Sequence, residues 1–340
     1  MAAEVLPTHT PALMAEAVER AAAALRAGEV VAVPTETVYG LAANALDPAA
    51  VAKIFALKGR PAHNPIIVHV ASAAMARPCV AHWPALADAL GAAFWPGPLT
   101  LVMAKSKEIP DLVTAGGETV GIRWPQHPFM QAVIRACGFP LAAPSANLAN
   151  RLSPTNASHV QEQLGDRLRL IVDGGECAVG IESTVVDVTG SAPVVLRPGM
   201  ITEPAILRAA AATDFQSTNP RLSYPSSAVL RSPGQLVRHY SPRAKLVVWT
   251  WTDEADLGRQ LSLSGARPET TFLLTHTRIP MSGRLPHVML IPDDPEAFAR
   301  ALYAELHRCD AAGAEMIVVE ALPNTSEWAG IADRLRRASA

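Results

Sequence analysis

Two cationic side chains flank a glycine in the segment Lys58-Gly-Arg60, between a predicted helix and a predicted strand. A lysine and an arginine placed this closely form a compact positive loop, and both side chains donate hydrogen bonds to phosphate oxygens. Basic residues at the end of a helix also interact favourably with the helix dipole. The segment therefore predicts either a phosphate-binding loop or an ordinary helix C-terminus.

Arg123 ends a mostly apolar run, Thr119-Val-Gly-Ile-Arg123, that is typical of a buried strand. A buried guanidinium without a counterion is costly, so Arg123 needs an anion. A carboxylate of the protein and a carboxylate of a substrate both satisfy that need, and the run does not decide between them. His69 lies in another strand-like run, where a hydrogen-bonded core histidine is the ordinary interpretation.

Four further segments place small polar side chains after or within strand-like runs. They are Pro34-Thr-Glu-Thr-Val-Tyr-Gly-Leu41, Pro144-Ser-Ala-Asn147 followed by Ser153, Glu182-Ser-Thr-Val-Val-Asp187, and Leu196-Arg-Pro-Gly199. Hydroxyl and amide groups at such positions can simply stabilise turns. The sequence contains no P-loop, dinucleotide fingerprint, zincin motif or nucleophile elbow. Any nucleotide must therefore be held by a less familiar arrangement.

The elements that position these segments predict an α/β protein of two domains. Residues 1–211 mix strands and helices without strict alternation, which predicts a mixed sheet. Residues 212–244 are rich in Ser, Thr and Pro and predict a linker. Residues 245–340 predict a smaller α/β domain, in which the helix and strand at 295–320 resemble a crossover unit of a parallel sheet. In the first domain, helices are expected near 11–27, 48–57, 84–94, 127–137, 156–164 and 203–211, and strands near 30–33, 65–70, 99–104, 119–123, 139–143, 169–173, 183–188 and 193–197.

Composition excludes several classes of protein. The 340 residues are 49% hydrophobic, and 29 basic against 31 acidic residues give a net charge of −2. This balance argues against a globally basic nucleic-acid binder and against an acidic disordered chain. The four cysteines form no C-x-x-C pair, which argues against a zinc ribbon and favours a reducing compartment. We see neither a signal peptide nor an apolar run of membrane character, so we expect a soluble, cytoplasmic protein.

Taken together and in order, the polar segments resemble the YrdC-like domain of threonylcarbamoyl-AMP synthases. The matching segments are PTETVYGL, KGRP-x-x-NP-x-IVHV, WPGPLT, TVGIRWP, PSAN, ESTVVD and LRPG, spread over residues 34–199. The segment SPGQLVRHYSP, residues 232–242, resembles the linker motif of the two-domain form of this family. The resemblance implies a YrdC-like domain with a twisted mixed sheet and flanking helices, followed by a smaller Rossmann-like α/β domain.

The activity implied by the resemblance is an ATP-dependent synthesis. L-threonine and bicarbonate form a carbamate, whose carboxylate attacks the α-phosphate of ATP to give threonylcarbamoyl-AMP and pyrophosphate. A separate transferase then moves the threonylcarbamoyl group to the tRNA adenosine next to the anticodon. Adenylation needs positioning and neutralisation of phosphate charge rather than a nucleophile–base pair. Mg²⁺ is expected on the ATP phosphates, and Glu182 and Asp187 are the two carboxylates considered for a protein-held ion.

The resemblance also implies roles for individual residues. Lys58 and Arg60 are the catalytic candidates because they would lie beside the reacting phosphates. ATP is expected to contact Lys58, Arg60, Asn64, Thr119, Ser145, Asn147, Ser153, Arg197, His239 and Tyr240. Threonine is expected to contact Thr37, His69, Arg123, Ser183 and the backbone of Ala143. Arg123 would bind the threonine carboxylate, since a guanidinium fork matches a carboxylate.

The linker motif departs from the family pattern. Gln235, Leu236 and Val237 replace a methionine, a basic residue and an aromatic residue. His239 and Tyr240 remain, and we expect them still to reach the nucleotide. An aromatic side chain among several arginines indicates that residues 212–244 form a mobile lid rather than a passive tether.

Two other functions are weighed against this one. The YrdC-like module of hydrogenase-maturation carbamoyltransferases accompanies zinc-finger and acylphosphatase-like segments, which this sequence lacks. An RNA-binding module could use the Lys58-Gly-Arg60 loop to bind a phosphate backbone. The net charge of −2 and the lack of a basic stripe with interleaved aromatics argue against strong RNA affinity. We therefore expect ATP, L-threonine and bicarbonate as partners, a downstream tRNA threonylcarbamoyl transferase, weak or no direct RNA binding, and no membrane partner.

Overall fold

A computed structural model describes residues 3–61, 63–211, 213, 239–281 and 285–340. The chain divides into two compact units. The first comprises Met1–Ala149 and Ser153–Gln235, and the second comprises Asn150–Leu152 and Leu236–Ala340. Most of the predicted linker, residues 212–244, lies outside the described residues.

A ten-stranded mixed sheet is the framework of the first unit. Its strands are β1 (Glu4–Pro7), β2 (Val31–Val33), β3 (Gly40–Asn44), β4 (Val68–His69), β5 (Leu99–Ala104), β6 (Thr119–Arg123), β7 (Leu141–Ala142), β8 (Leu170–Asp173), β9 (Thr184–Asp187) and β10 (Val194–Arg197). Their order across the sheet is β1-β8-β2-β3-β7-β4-β6-β5-β9-β10. Strand β6 pairs parallel to β4 and antiparallel to β5, and β5 pairs parallel to β9. The mixed sheet predicted from the sequence is confirmed.

Helices flank this sheet on both faces. They are α1 (Pro11–Arg26), α2 (Pro48–Lys58), α3 (Ala73–Ala76), α4 (Ala85–Phe94), α5 (Asp111–Thr114), α6 (Pro128–Cys137), α7 (Ala157–Leu164) and α8 (Glu203–Ala210). Helix α2 begins after Asp47, whose side chain accepts a hydrogen bond from the Ala49 amide. It ends at Gly59, where a φ of 60° turns the chain at no steric cost and leads directly into Arg60.

Successive side chains of a strand point to opposite faces of the sheet, and each face has its own apolar cluster. Leu41, Val68, Leu101 and Ile122 belong to one cluster, which includes residues of α2 and α4. The side chains of β2, β3, β7 and β8 that point to the other face form a second cluster with α1 and α6. On this second face, strands β4, β5 and β6 carry the polar side chains of His69, Thr100 and Arg123.

The second unit is a smaller α/β fold built on a four-stranded parallel sheet. Its strands are β11 (Lys245–Trp249), β12 (Thr271–Thr275), β13 (His287–Leu290) and β14 (Met316–Glu320), in the order β11-β14-β12-β13, and its helices are α9 (Glu254–Ser264), α10 (Pro295–Ala311) and α11 (Ala329–Ala338). Helix α10 connects β13 to β14, which lie on either side of β12 in the sheet. This crossover is the one predicted for residues 295–320.

The main differences from the predicted elements lie in three short strands. Strands β1 and β3 were not predicted. The strand expected over 65–70 is reduced to Val68–His69, because the Ile66 amide donates to Val113 rather than to a neighbouring strand. Within the described part of the chain, no helix is long and apolar enough to cross a membrane.

Candidate active site

The register of the sheet places several polar side chains on one face. Arg123 pairs with His69 of β4 on one side and with Thr100 of β5 on the other. Val185 of β9 pairs both with Thr100 and with Arg197 of β10. Residues that are directly opposite in a sheet point to the same face. The side chains of Arg123, His69 and Thr100 therefore project from this face, and Arg197, which follows an irregularity in β10, reaches it through its contact with Ser183.

Ser183 links two of these strands. Its hydroxyl lies 2.8 Å from the Thr100 hydroxyl, and Arg197 Nη2 donates to the Ser183 hydroxyl at 3.1 Å and to its carbonyl at 3.0 Å. The structure thus brings Ser183, predicted to bind threonine, into contact with Arg197, predicted to bind ATP. Thr100 was not predicted as a site residue. Its signal is a hydroxyl in an otherwise apolar strand, and threonine is too common in strands for that signal to stand out.

Arg123 has a protein carboxylate as its partner. Its Nη2 donates to Glu36 Oε1 at 2.7 Å, and the two side chains are 5% and 6% exposed. Burial raises the pKa of Glu36, but the charge and hydrogen bond of Arg123, together with the nearby backbone amides of Glu36 and Gln126, outweigh burial and hold this pKa below its usual value. Arg123 Nε and Glu36 Oε2 are buried and have no hydrogen-bond partner in the described structure. The pair therefore retains Arg123 Nε as a donor and Glu36 Oε2 as an acceptor.

His69 is held in its neutral form. Burial, followed by the nearby charge of Arg123, lowers the pKa of His69 to about 3. Its Nδ1 is buried and has no hydrogen-bond partner in the described structure. His69 can therefore offer a neutral imidazole to a ligand at neutral pH, through its Nδ1 atom.

The pKa of His69 predicts how stability changes with pH. Because the folded-state pKa lies below the unfolded value of about 6.5, stability is fully present above pH 6.5 and is lost as pH falls from there toward 3. In the His69→Asn variant this contribution is absent. Its free energy of unfolding should therefore fall less steeply on acidification, by up to about 1.4 kcal/mol per pH unit. Urea unfolding of both proteins between pH 7 and pH 4.5 measures the effect. A stability difference that is the same at every pH would contradict it.

Lys58 joins helix α2 to the segment at residues 144–147. Its side chain is buried, and its Nζ donates to the carbonyls of Ser145 and Asn147 and to Asn147 Oδ1. Burial and then the neighbouring Arg60 lower the pKa of Lys58 well below its ordinary value. Lys58 does not bind the last carbonyls of its own helix, as an ordinary basic C-terminus would. The structure therefore brings Lys58, Ser145 and Asn147 together.

Arg60 shapes the loop that follows α2. Its Nε donates to the Asn64 carbonyl at 3.0 Å and its Nη2 to the Pro65 carbonyl at 2.6 Å. These contacts fix the backbone beside Asn64, whose buried Oδ1 has no hydrogen-bond partner in the described structure. An amide oxygen left in this state can accept a hydrogen bond from a ligand N–H or O–H group.

Thr119 lies at the other end of β6 from Arg123. The two residues are four positions apart, so their side chains share one face of the strand. Gly121 lies between them, and a Cβ at this position would contact Thr100 Cγ2 at 3.1 Å. Thr119 is half-buried, and its alignment with Arg123 places it along the same polar face.

The segment at residues 34–41 combines turn chemistry with a candidate ligand group. Thr35 Oγ1 accepts from the amides of Thr37 and Val38 and donates to the Val38 carbonyl at 2.6 Å. Tyr39 donates to the Gly175 carbonyl at 2.7 Å. Thr35 and Tyr39 therefore stabilise this turn, as the ordinary interpretation held. Thr37 is fully buried, and its hydroxyl lies 3.0 Å from that of Thr35.

Two other predicted residues have defined backbone or side-chain partners. The Ala143 amide donates to the Ile67 carbonyl at 3.1 Å, so a backbone contact from Ala143 to a ligand would use its carbonyl oxygen.

Ser153 donates from its hydroxyl to Glu182 Oε1 at 2.5 Å. Asp187 accepts from the amide and the hydroxyl of Thr189 at 2.9 and 2.6 Å. In the described part of the chain, no group of three or more His, Cys, Asp or Glu residues is placed to hold a metal ion.

His239 and Tyr240 belong to the second unit. Their rings are 4.0 Å apart in an edge-on arrangement, and the guanidinium of Arg334 lies 5.4 Å from the centre of the Tyr240 ring. The His239 amide donates to the Arg337 carbonyl at 3.2 Å. Their contact with the nucleotide stays a prediction. The departures at 235–237, and most of the predicted lid, lie outside the described residues.

A separate cavity of about 480 Å³ lies in the first unit. It is lined by Glu29, Val30, Lys53, Ala56, Leu57, Arg167, Leu168 and Arg169. Within it, Lys53 donates to the Gly28 carbonyl at 2.7 Å and Arg169 to Glu29 at 2.8 Å. None of the predicted site residues lines this cavity, so it is distinct from the polar face of the sheet.

Comparison with known proteins covers almost the whole chain. A family model described as "Telomere recombination" (Sua5, YciO and YrdC) matches residues 23–199, and one described as "Threonylcarbamoyl-AMP synthase, C-terminal domain" matches residues 201–340. The threonylcarbamoyl-AMP synthase of Pyrococcus abyssi is 37% identical over 323 residues, which are 94% of this chain and 93% of the relative. That of Bacillus subtilis is 39% identical over 331 residues, 95% of this chain and 92% of the relative. The crystal structure of P. abyssi Sua5 complexed with L-threonine matches with a TM-score of 0.88 and 34% identity, covering 100% of this chain and 98% of that one.

Proposed function

The chain belongs to the family of two-domain threonylcarbamoyl-AMP synthases, and from this premise we infer that it makes threonylcarbamoyl-AMP and pyrophosphate from L-threonine, bicarbonate and ATP. The reaction is a nucleotidyl transfer that supplies the threonylcarbamoyl modification of tRNA. The observation that supports this function best is the convergence of His69, Arg123, Ser183 and Arg197 on one face of the sheet. The family assignment favours this function over the carbamoyltransferase and RNA-binding alternatives.

Threonine is proposed to bind beside β4, β6 and β9. Arg123 keeps an unpartnered Nε, which suits one oxygen of the threonine carboxylate. The neutral imidazole of His69 and the hydroxyls of Thr37 and Ser183 provide uncharged hydrogen-bonding groups for the rest of the molecule. The Ala143 carbonyl would accept from an N–H or O–H group. An enclosed set of such groups keeps the amino acid oriented while its carbamate forms.

ATP is proposed to bind where the remaining predicted residues lie. Lys58, Arg60 and Arg197 supply positive charge for the phosphates, and negative charge on the transferring α-phosphate and the departing pyrophosphate is stabilised by such cations. Asn64 Oδ1 is an unpartnered acceptor for a nucleotide N–H or O–H group. Thr119, Ser145, Asn147 and Ser153 add hydroxyl and amide groups.

Mg²⁺ is proposed to enter with ATP rather than to reside in a protein site. Of the two carboxylates considered for it, Glu182 accepts from Ser153 and Asp187 from Thr189. Mg²⁺ commonly binds through substrate phosphates and waters with few protein ligands, which fits this donor set. The downstream tRNA threonylcarbamoyl transferase, weak or absent direct RNA binding, the lack of a membrane partner and a cytoplasmic location stay predictions.

Pyrophosphate release should require threonine and bicarbonate together. The nucleophile that attacks ATP is the carbamate, which forms only when both are present, so omission of either should lower the rate to the background of ATP hydrolysis. A coupled pyrophosphate assay with each substrate omitted in turn measures this dependence, in buffers freed of dissolved carbon dioxide. Equal release with and without threonine would contradict the proposed function.

A further inference from the structure

Glu36 is paired with Arg123 of the proposed threonine subsite, although neither the sequence nor the family resemblance assigns it a role. It belongs to the turn before β3, and its carboxylate reaches Arg123, which is 87 positions away in the sequence. One carboxylate oxygen is bonded to Arg123, and the other is buried with no hydrogen-bond partner in the described structure. A buried carboxylate oxygen in this state favours a cationic or hydrogen-bond-donating ligand.

The ion pair and the two imidazoles and one thiol that interact with it carry no net charge together. Glu36 is ionised and Arg123 is cationic, so their charges cancel. The pKa of His69 is about 3, and burial lowers the pKa of His127 against the opposing effect of the Glu36 charge, so both imidazoles are neutral at pH 7.5. Burial and then Glu36 raise the pKa of the Cys177 thiol, which therefore stays protonated.

A neutral ion pair in a buried site discriminates between ligands of different net charge. An amino-acid zwitterion adds no net charge and brings a carboxylate for Arg123 and an ammonium for Glu36. A hydroxy acid without the amino group adds an uncompensated negative charge next to Glu36. Because interactions between charges are strong where water is excluded, this difference translates into selectivity.

We propose that Glu36 is a specificity-determining residue that makes the threonine subsite accept an amino-acid zwitterion and reject the corresponding carboxylate anion. This inference rests on the proposed function, because it assumes that threonine binds at Arg123. Arg123 alone would attract any carboxylate. Glu36 offsets that attraction unless the ligand also has an ammonium group.

The test compares L-threonine with 3-hydroxybutanoate, which is threonine without its amino group. Affinities are measured by calorimetry or by competition at pH 7.5. The wild-type protein should bind threonine at least about tenfold more tightly than 3-hydroxybutanoate, since about 1.4 kcal/mol corresponds to tenfold. In Glu36→Gln this ratio should fall by at least about tenfold, because the subsite then has a net positive charge.

Two further variants separate charge from shape. Glu36→Asp keeps the charge and should keep the ratio within about threefold of the wild-type value. Glu29→Gln is the matched control, because Glu29 also pairs with an arginine, Arg169, but lies outside the site. In this variant the ratio of the affinities for threonine and 3-hydroxybutanoate should equal the wild-type ratio. Thermal unfolding checks that each variant is folded. If Glu36→Gln does not fold, the wild-type comparison can still overturn the inference, and the Glu36→Asp variant still tests the carboxylate.

Several results would overturn the inference. One is a wild-type protein that binds 3-hydroxybutanoate as tightly as threonine, and another is an unchanged ratio in a folded Glu36→Gln variant. A ratio that collapses equally in Glu36→Asp would show that geometry rather than charge matters. A wild-type protein that neither binds threonine nor releases pyrophosphate in its presence would contradict the proposed function itself.

Discussion

Replacing Lys58 with Met is expected to lower turnover by about 100- to 1000-fold, the range found when one group that stabilises transition-state charge is removed. Negative charge shifts toward the pyrophosphate as the α-phosphate is attacked, and Lys58 is proposed to lie beside these oxygens. Threonine affinity should change much less, since Lys58 acts on a different substrate. Methionine fills a similar volume, so the buried space around α2 stays occupied. Pyrophosphate release at saturating substrates gives the turnover, and calorimetry gives the threonine affinity.

Lys58 also has a structural role, which the controls must separate. Its Nζ bonds the carbonyls of Ser145 and Asn147, and its removal leaves both acceptors without this donor. The matched control is Lys53→Met, on the same helix, where the ammonium group donates to the Gly28 carbonyl outside the site. Its turnover should match the wild-type value. A folded Lys58→Met variant with unchanged saturated turnover, or one that loses only threonine affinity, would contradict the proposed role.

Periodic apolar patterns predicted most elements of the first unit because those elements have strong local signals. The strands expected at 99–104 and 119–123 have those bounds in the structure, and helix α1 differs by one residue at its end. Strand β3, Gly-Leu-Ala-Ala-Asn, has residues of low strand propensity and is a strand because β2 and β7 pair with it. Strand β1 has four residues and pairs with β8, about 165 positions later. Non-local pairing of this kind has no local pattern.

The sequence predicted a set of site residues but not how they are arranged, and the structure shows only which of them lie together. Local spacing does not show that Arg123 lies between His69 and Thr100, because that neighbourhood arises from strand order. Thr100 and Glu36 were missed for the same reason, since in the sequence one is an ordinary strand residue and the other an ordinary turn residue. The family resemblance identified segments, and the sheet register relates them to one another.

The two partners considered for Arg123 in the sequence are compatible with each other. Glu36 is the protein carboxylate, and it occupies Nη2 while Nε remains without a partner. A guanidinium has five N–H donors, so one carboxylate does not exhaust it. Glu36 therefore fixes the orientation of Arg123, which leaves the guanidinium positioned for a second carboxylate.

Replacing Arg123 with Met is expected to weaken threonine binding by about 2–5 kcal/mol, the range for truncating one partner of a buried charge pair. The same change leaves the buried Glu36 charge unpaired, so the folded state should also lose about 3–5 kcal/mol of stability. The double variant Arg123→Met/Glu36→Gln removes both charges. It should regain most of the stability without regaining threonine affinity, because no guanidinium is left for the ligand. Calorimetry with threonine and urea unfolding of wild type and both variants measure the two effects. If the double variant is stable and binds threonine as tightly as the wild type, Arg123 only neutralises Glu36 and a different residue must bind the threonine carboxylate.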